Sequence, residues 1–159
     1  MKNNIPYMAS LGALSTLFLI IGFYINIFDL FAYFLSCIVL GIISLRCNVK
    51  DLIISHVVVS LAGLIFCGFY YFYIIGYFLL GFVIIADKFN IKGREILKYL
   101  LFILAFYIYM LFVGEALSIN EQIDEFIEII VIVLAIISYP IFKRAYQIIF
   151  YKLKERIMK

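Results

Sequence analysis

The sequence predicts an all-α integral membrane protein with six transmembrane helices and both termini in the cytoplasm. Two observations carry the class. Of 159 residues, 67% are hydrophobic and only 14% are charged, where ordinary globular domains run about 45–50% apolar and about 25% charged. A chain of this size cannot hide that much apolar surface from water, so lipid must be part of its solvent. The apolar residues also come in long unbroken runs. Only helices and closed barrels satisfy their backbone inside a bilayer, and barrel strands alternate polar with apolar residues, so the runs read as helices.

The first run, about 5–28, follows the positive start "MKNNIPYMASLG". It is too long for a signal-peptide core and is expected to stay as a membrane helix. The second, about 30–45, ends at "RCNVKD". From Leu52 to Ala86 the chain stays apolar over a length that one helix would stretch to roughly 50 Å at ~1.5 Å per residue, against a hydrocarbon core of ~30 Å. Two helices are expected there, 52–67 and 69–86, meeting near "FCGFYY", where Gly68 loosens the chain. The fifth and sixth helices are about 96–114 and 121–142. A tail, 143–159, alternates apolar and basic positions at near-helical spacing; it reads either as a segment on the surface of an anionic leaflet or as a simple stop-transfer tail.

Charge selects this count. With six crossings, segments 1–4, 46–51, 87–98 and 143–159 face inward and hold all 13 Lys and Arg with four of the ten acids. The other six acids, Asp29, Glu115, Glu121, Asp124, Glu125 and Glu128, fall in outer turns that hold no base. A five-crossing chain would send one set of bases outward, against the positive-inside rule. Part of the acidic stretch "GEALSINEQIDEFIE" has a simple cause. Ser118 and Glu121 have the spacing of a capping box, and acids suit the first turn of a helix. Glu128 lies about two turns further in, where a carboxylate is costly.

The whole chain reads as one transmembrane domain, with no soluble domain for nucleotide binding. It has no Walker loop, GxSG, HExxH or CxxC, so no enzyme, cofactor or metal centre is read from it. Nucleic acid is not implied either. His56, the one histidine, is expected to be a packed residue hydrogen-bonded to a neighbouring helix.

Three constellations remain. In helix 1, Ala9, Gly12, Ala13 and Thr16 make a small-residue face of the kind that lets helices approach closely in lipid. In helix 4, Tyr70, Tyr73 and Tyr77 share one face and can stack on, and hydrogen-bond to, a ligand. An outer rim of Asn26, Asp29, Glu115, Ser118, Asn120, Glu121 and Glu128 would converge above that face. Phe102, Phe106 and Tyr109 of helix 5 form an aromatic stripe with the spacing of packing residues. The expected substrate-binding set is Asn26, Asp29, Tyr70, Tyr73, Tyr77, Glu115, Asn120, Glu121 and Glu128.

Six helices, both ends inside, short loops and the run Ala9-Ser10-Leu11-Gly12-Ala13 resemble the substrate-binding S component of energy-coupling factor (ECF) vitamin transporters. That run looks like the AxxxA motif of many S components. The closing "YPIFKRAYQ" is similar in style to their C-termini. The resemblance implies a high-affinity binding subunit for a vitamin or related nutrient in a bacterial cell membrane. It implies as partners a transmembrane T component, docked on the helix 1 face, and two ATPases. The family places its pocket near the outer face, among helices 4 to 6 and the loop after helix 1. The chain is shorter than most S components, has no Trp and shows no signature of a particular vitamin. A structural scaffold of the MreD type is the alternative, although its acidic, Gly-rich middle stretch has only a loose echo in "LLGFVIIADKF". A small immunity or accessory membrane protein is a third reading.

Overall fold

The computed structural model describes the backbone of residues 5–25, 29–68, 70–89, 92–117 and 124–157, and their side chains except those of 111–128 and 157. Among these residues it is all helical: α1 (Ile5–Tyr24), α2 (Asp29–Arg46), α3 (Val49–Phe66), α4 (Tyr71–Ile85), α5 (Arg94–Leu117) and α6 (Asp124–Ile157), with a single 3-10 turn, Ala86–Lys88, closing α4. Within the described residues, five helices are long and apolar enough to cross a membrane: α1, α2, α3, α4 with its closing turn, and α6. Surface composition fits that reading. Large apolar side chains such as Leu17, Val58, Leu100 and Ile137 stand exposed on the outside of the bundle, where acyl chains can cover them.

The long apolar run from Leu52 to Ala86 divides into α3 and α4, as its length demands. α3 ends at Phe66, the Cys67 N–H returns to the Gly63 carbonyl, and Gly68 takes φ +66°. That left-handed conformation is open to glycine without a steric penalty. At the other end of α3, Asn48 caps the helix by accepting the Asp51 N–H at 2.8 Å, which satisfies one of the orphan donors of the first turn.

The helices pack α1 on α2 and α3, α4 on α3 and α5, and α5 on α6, with α2 also meeting α4 and α6. Polar side chains join them inside. Ser36 of α2 donates to the Ser15 carbonyl of α1 at 2.7 Å. His56 of α3 donates through Nε2 to the Phe78 carbonyl of α4 at 2.9 Å. His56 is thus the packed, cross-helix residue expected from the sequence. It fits because Gly81 faces it: a Cβ there would fall within the van der Waals radius of the imidazole.

One end of the bundle is basic. Lys98 Nζ lies 2.7 Å from both Asp87 Oδ1 and Glu95 Oε1, and Lys143 Nζ lies 2.7 Å from Glu95 Oε2. These bonds tie the α4–α5 turn, α5 and α6 together. Glu95 is held down at about pKa 2, chiefly by its hydrogen bonds from Lys143 and Lys98. At the same end the Arg46 guanidinium sits 5.0 Å from the Tyr7 ring centroid.

α6 departs from expectation. It is one helix of 34 residues, so the basic tail continues the last crossing instead of forming a separate surface segment. At ~1.5 Å per residue it is roughly 50 Å long, well beyond the ~30 Å of a hydrocarbon core. Pro140 lies inside it. Proline has no N–H, so the carbonyl four residues back loses its helical donor. That carbonyl, Ile136, instead receives the Tyr99 hydroxyl of α5 at 3.3 Å. Further along, Phe142, Tyr146 and Phe150 stack in near-parallel pairs along one face of α6, and Tyr146 and Phe150 close over Gly41 of α2.

Candidate functional site

The structure opens a cleft of about 400 Å³ between α2, α4, α5 and α6. Leu30, Tyr33 and Phe34 of α2 form one wall. Phe102, Ala105, Phe106 and Tyr109 of α5 form the facing wall, with Gly76 and Leu80 of α4 and Ser138, Ile141, Phe142 and Ala145 of α6 completing it. The volume lies within the common range for small-molecule pockets, which are mostly apolar with a few fixed polar groups.

The walls are aromatic and their rings hold one another. Tyr33 meets Tyr109 edge to face, with centroids 5.6 Å apart. Phe34 meets Phe142 at 5.7 Å, and Phe102 meets Phe142 at 5.1 Å. Such contacts fix ring positions beyond what burial alone does. The stripe Phe102, Phe106 and Tyr109 is therefore both packing and cleft wall.

Polar groups are few and already oriented. Tyr109 donates its hydroxyl to Asp29 Oδ2 at 2.5 Å. Asp29 Oδ1 accepts the Leu30 N–H at 2.6 Å. Tyr33 donates to the Tyr73 carbonyl, and Ser138 donates to the Leu134 carbonyl at 2.6 Å. Asp29 begins α2, so its charge is also favoured by the positive end of that helix. The result is an oily slot in which the lining Tyr109 is anchored on the Asp29 carboxylate at the start of α2. The rim residues Leu30 and Ile141 are 50% and 66% exposed, so the mouth borders the apolar outer surface of the bundle. The arrangement can take a flat, largely apolar molecule and hydrogen-bond one polar group of it.

The residues expected to bind substrate separate into groups. Asp29 stands at the cleft through Tyr109. Tyr73 and Tyr77 are fully buried in the bundle core. Tyr73 donates to the Leu19 carbonyl at 3.0 Å, and Tyr77 shares a 3.2 Å hydrogen bond with Ser15 Oγ. They touch the cleft only at second hand, Tyr73 through its ring contact with Tyr33 at 4.8 Å. Tyr70 is half exposed at the start of α4 and packs on Phe23 at 5.1 Å. Asn26, Asn120 and Glu121, and the side chains of Glu115 and Glu128, lie outside the described residues, as do Ser118 and its capping partner. Tyr33, Phe34, Ser138 and Phe142 were not expected. Tyr33 and Phe34 carried no signal beyond aromaticity in an aromatic-rich chain.

The helix 1 face sorts more simply. Ala9 and Ala13 are exposed, and Gly12 and Thr16 are buried against α3. All four line a groove of about 660 Å³ with Ile54, Ser55, Val58, Val59 and Ala62 of α3. The groove is apolar and open to the outside of the bundle.

Among the described residues no group of three His, Cys, Asp or Glu side chains is placed to hold a metal ion, and Cys37, Cys47 and Cys67 are buried free thiols. No family model, curated protein or solved structure matches the chain.

Proposed function

We propose that the chain is a membrane-embedded binding subunit for uptake of a small, flat nutrient, with the cleft between α2, α4, α5 and α6 as its site. The observation that carries this reading is the pairing of ordered aromatic walls with a single oriented Tyr109–Asp29 head. The reading includes six crossings with both termini inside and a multi-pass place in a bacterial cell membrane. As the S-component resemblance implies, transport would then require a T component and two ATPases, with the open groove of Ala9 and Ala13 as the docking face. A scaffold of the MreD type would use such a groove too, but would leave the cleft without a task.

Native mass spectrometry of the protein released from mild detergent tests the binding reading. A retained small molecule, lost on Tyr33→Ala, is the expected result. An empty cleft against a panel of vitamins and flat heterocycles, with cell-wall or cytoskeletal proteins co-purifying, would turn the reading to the scaffold. Sidedness is checked separately by impermeant thiol labelling. After Cys37, Cys47 and Cys67 are replaced, a cysteine introduced in place of Asn120 should react from outside and one in place of Lys92 should not.

A further inference from the structure

At the basic end of the bundle lies a second, much smaller notch of about 20 Å³, lined by Asp87, Lys98, Tyr139, Lys143, Tyr146 and Gln147 with apolar Val83, Ile84 and Phe142 beside them. A site needs roughly 10–15 Å³ to accept one water-sized group. The notch therefore has room for a single heavy atom, not for a whole ligand.

Its lining is short of an acceptor. Tyr139 is 6% exposed, and its hydroxyl has no hydrogen-bond partner among the described residues. A buried polar group left so is costly, and native structures fill such places with water or an ion. Lys98, 5% exposed, has two bonds to carboxylates at 2.7 Å, and Lys143 has one. Each ammonium carries three donors, so N–H groups remain beyond these bonds. Tyr139, Lys98 and Lys143 thus bring donors from three side chains to one small space. A water accepts at most two hydrogen bonds and must also place its own two protons, whereas an anionic oxygen accepts all three and donates none.

We propose that this notch seats one phosphate oxygen, and that an anionic membrane lipid supplies it. The place suits a headgroup. Val83, Ile84 and Phe142 mark the apolar side of the notch, and the Lys98–Glu95–Lys143 collar marks the polar side. Basic pockets between helices at the membrane boundary bind headgroups in this way. Free phosphate has the same chemistry and is distinguished by experiment. The site shares only Phe142 with the cleft and does not rest on the uptake reading.

The test uses the full chain, stripped of lipid in a non-ionic maltoside detergent, with melting followed by thermal shift. Dioleoylphosphatidylglycerol in mixed micelles should raise the melting temperature by about 3–5 °C over dioleoylglycerol, which has the same chains and no phosphate. Tyr139→Phe removes a hydroxyl that has no protein partner among the described residues, so the lipid-free protein should melt nearly unchanged while most of the rise disappears. If sodium phosphate gives the same rise over sodium chloride at equal ionic strength, and Tyr139→Phe abolishes it, the oxygen comes from free phosphate and the lipid assignment is overturned. No rise with either source, or an equal rise in Tyr139→Phe, overturns the site and leaves a bound water. Should the variant not fold, native mass spectrometry of the wild type decides. One phosphatidylglycerol should stay bound at collision energies that strip phosphatidylcholine, and equal loss of the two lipids overturns the proposal.

Discussion

Tyr109 and Asp29 stand 80 residues apart in the chain and 2.5 Å apart in the fold, with the phenol donating to the carboxylate. The pair closes α5 onto the start of α2 and sets the polar end of the cleft. A hydrogen bond to a charged group contributes about 1.5–3 kcal/mol. Tyr109→Phe should therefore lower stability by an amount in that range, measured by chemical denaturation in detergent. Asp29→Asn keeps the shape and removes the charge. It should weaken a ligand held through a donor group by roughly tenfold. Unchanged affinity in the Asp29→Asn variant would place the ligand elsewhere.

A second prediction concerns Gly81. An added methyl meets the His56 ring, and that ring is boxed in by Tyr77, Phe78 and Phe82 at centroid distances of 5.1, 5.3 and 5.6 Å. It has no room to retreat. Gly81→Ala should cost about 1–3 kcal/mol by overpacking. Combining it with His56→Ala should cost less than the sum of the two, because the second change removes what the first collides with. Strict additivity in a double-mutant cycle would contradict the packing described here.

Ala9 and Ala13 are exposed in the groove beside α3. Ala9→Leu with Ala13→Leu should consequently leave the melting temperature of the isolated protein within about 2 °C, since leucine faces lipid at least as well as alanine. The same double change should fill the groove and abolish co-purification of any helix that docks there. A large fall in melting temperature would mean that the face packs inside the bundle.

The ion-pair collar makes stability depend on acid. Glu95 is held at about pKa 2, below its ordinary value near 4.3. A carboxyl depressed on folding contributes stability that is complete above its unfolded pKa and is lost as pH falls through the folded one. The melting temperature should hold down to about pH 5 and fall modestly between about pH 4.5 and 2. Glu95→Gln should flatten that part of the curve. Glu95 is half exposed, so solvent screens the pair and keeps the effect modest.

Helix existence was legible because lipid demands length, and length was countable. The break at Gly68 followed from the same arithmetic. The small face of α1 was legible too, since Ala9, Gly12 and Ala13 differ in size from their neighbours. The cleft was not. In water a helix declares its inner face by contrast with a polar outer one, whereas in lipid Tyr33 and Phe34 look like the exposed Phe31 beside them. Spacing showed correctly that Tyr73 and Tyr77 share a face, but not that the face meets Leu19 and Ser15 of α1. The partner of Asp29 lay on α5, far along the chain, where no local pattern reaches. The continuation of α6 past Lys143 was missed because the crossing was ended where the basic residues begin, and charge alone does not stop a helix.

The rung missing at Pro140 has a mechanical consequence. Pro140 falls between Ser138 and Ile141, two residues of the cleft wall. Helices bend most readily where a proline interrupts the ladder, so the softest point of α6 coincides with one wall of the cleft. Below it, Lys143 is bound to Glu95 at 2.7 Å; above it, the long apolar arm toward Ile129 bears mostly exposed side chains. If the cleft binds a ligand as proposed, α6 would act as its gatepost, fixed at its foot and lightly held at its top. Pro140→Ala restores the N–H and should stiffen it, slowing ligand association and dissociation together while leaving the equilibrium affinity nearly constant. Stopped-flow traces with unaltered rates would show that the gate lies elsewhere.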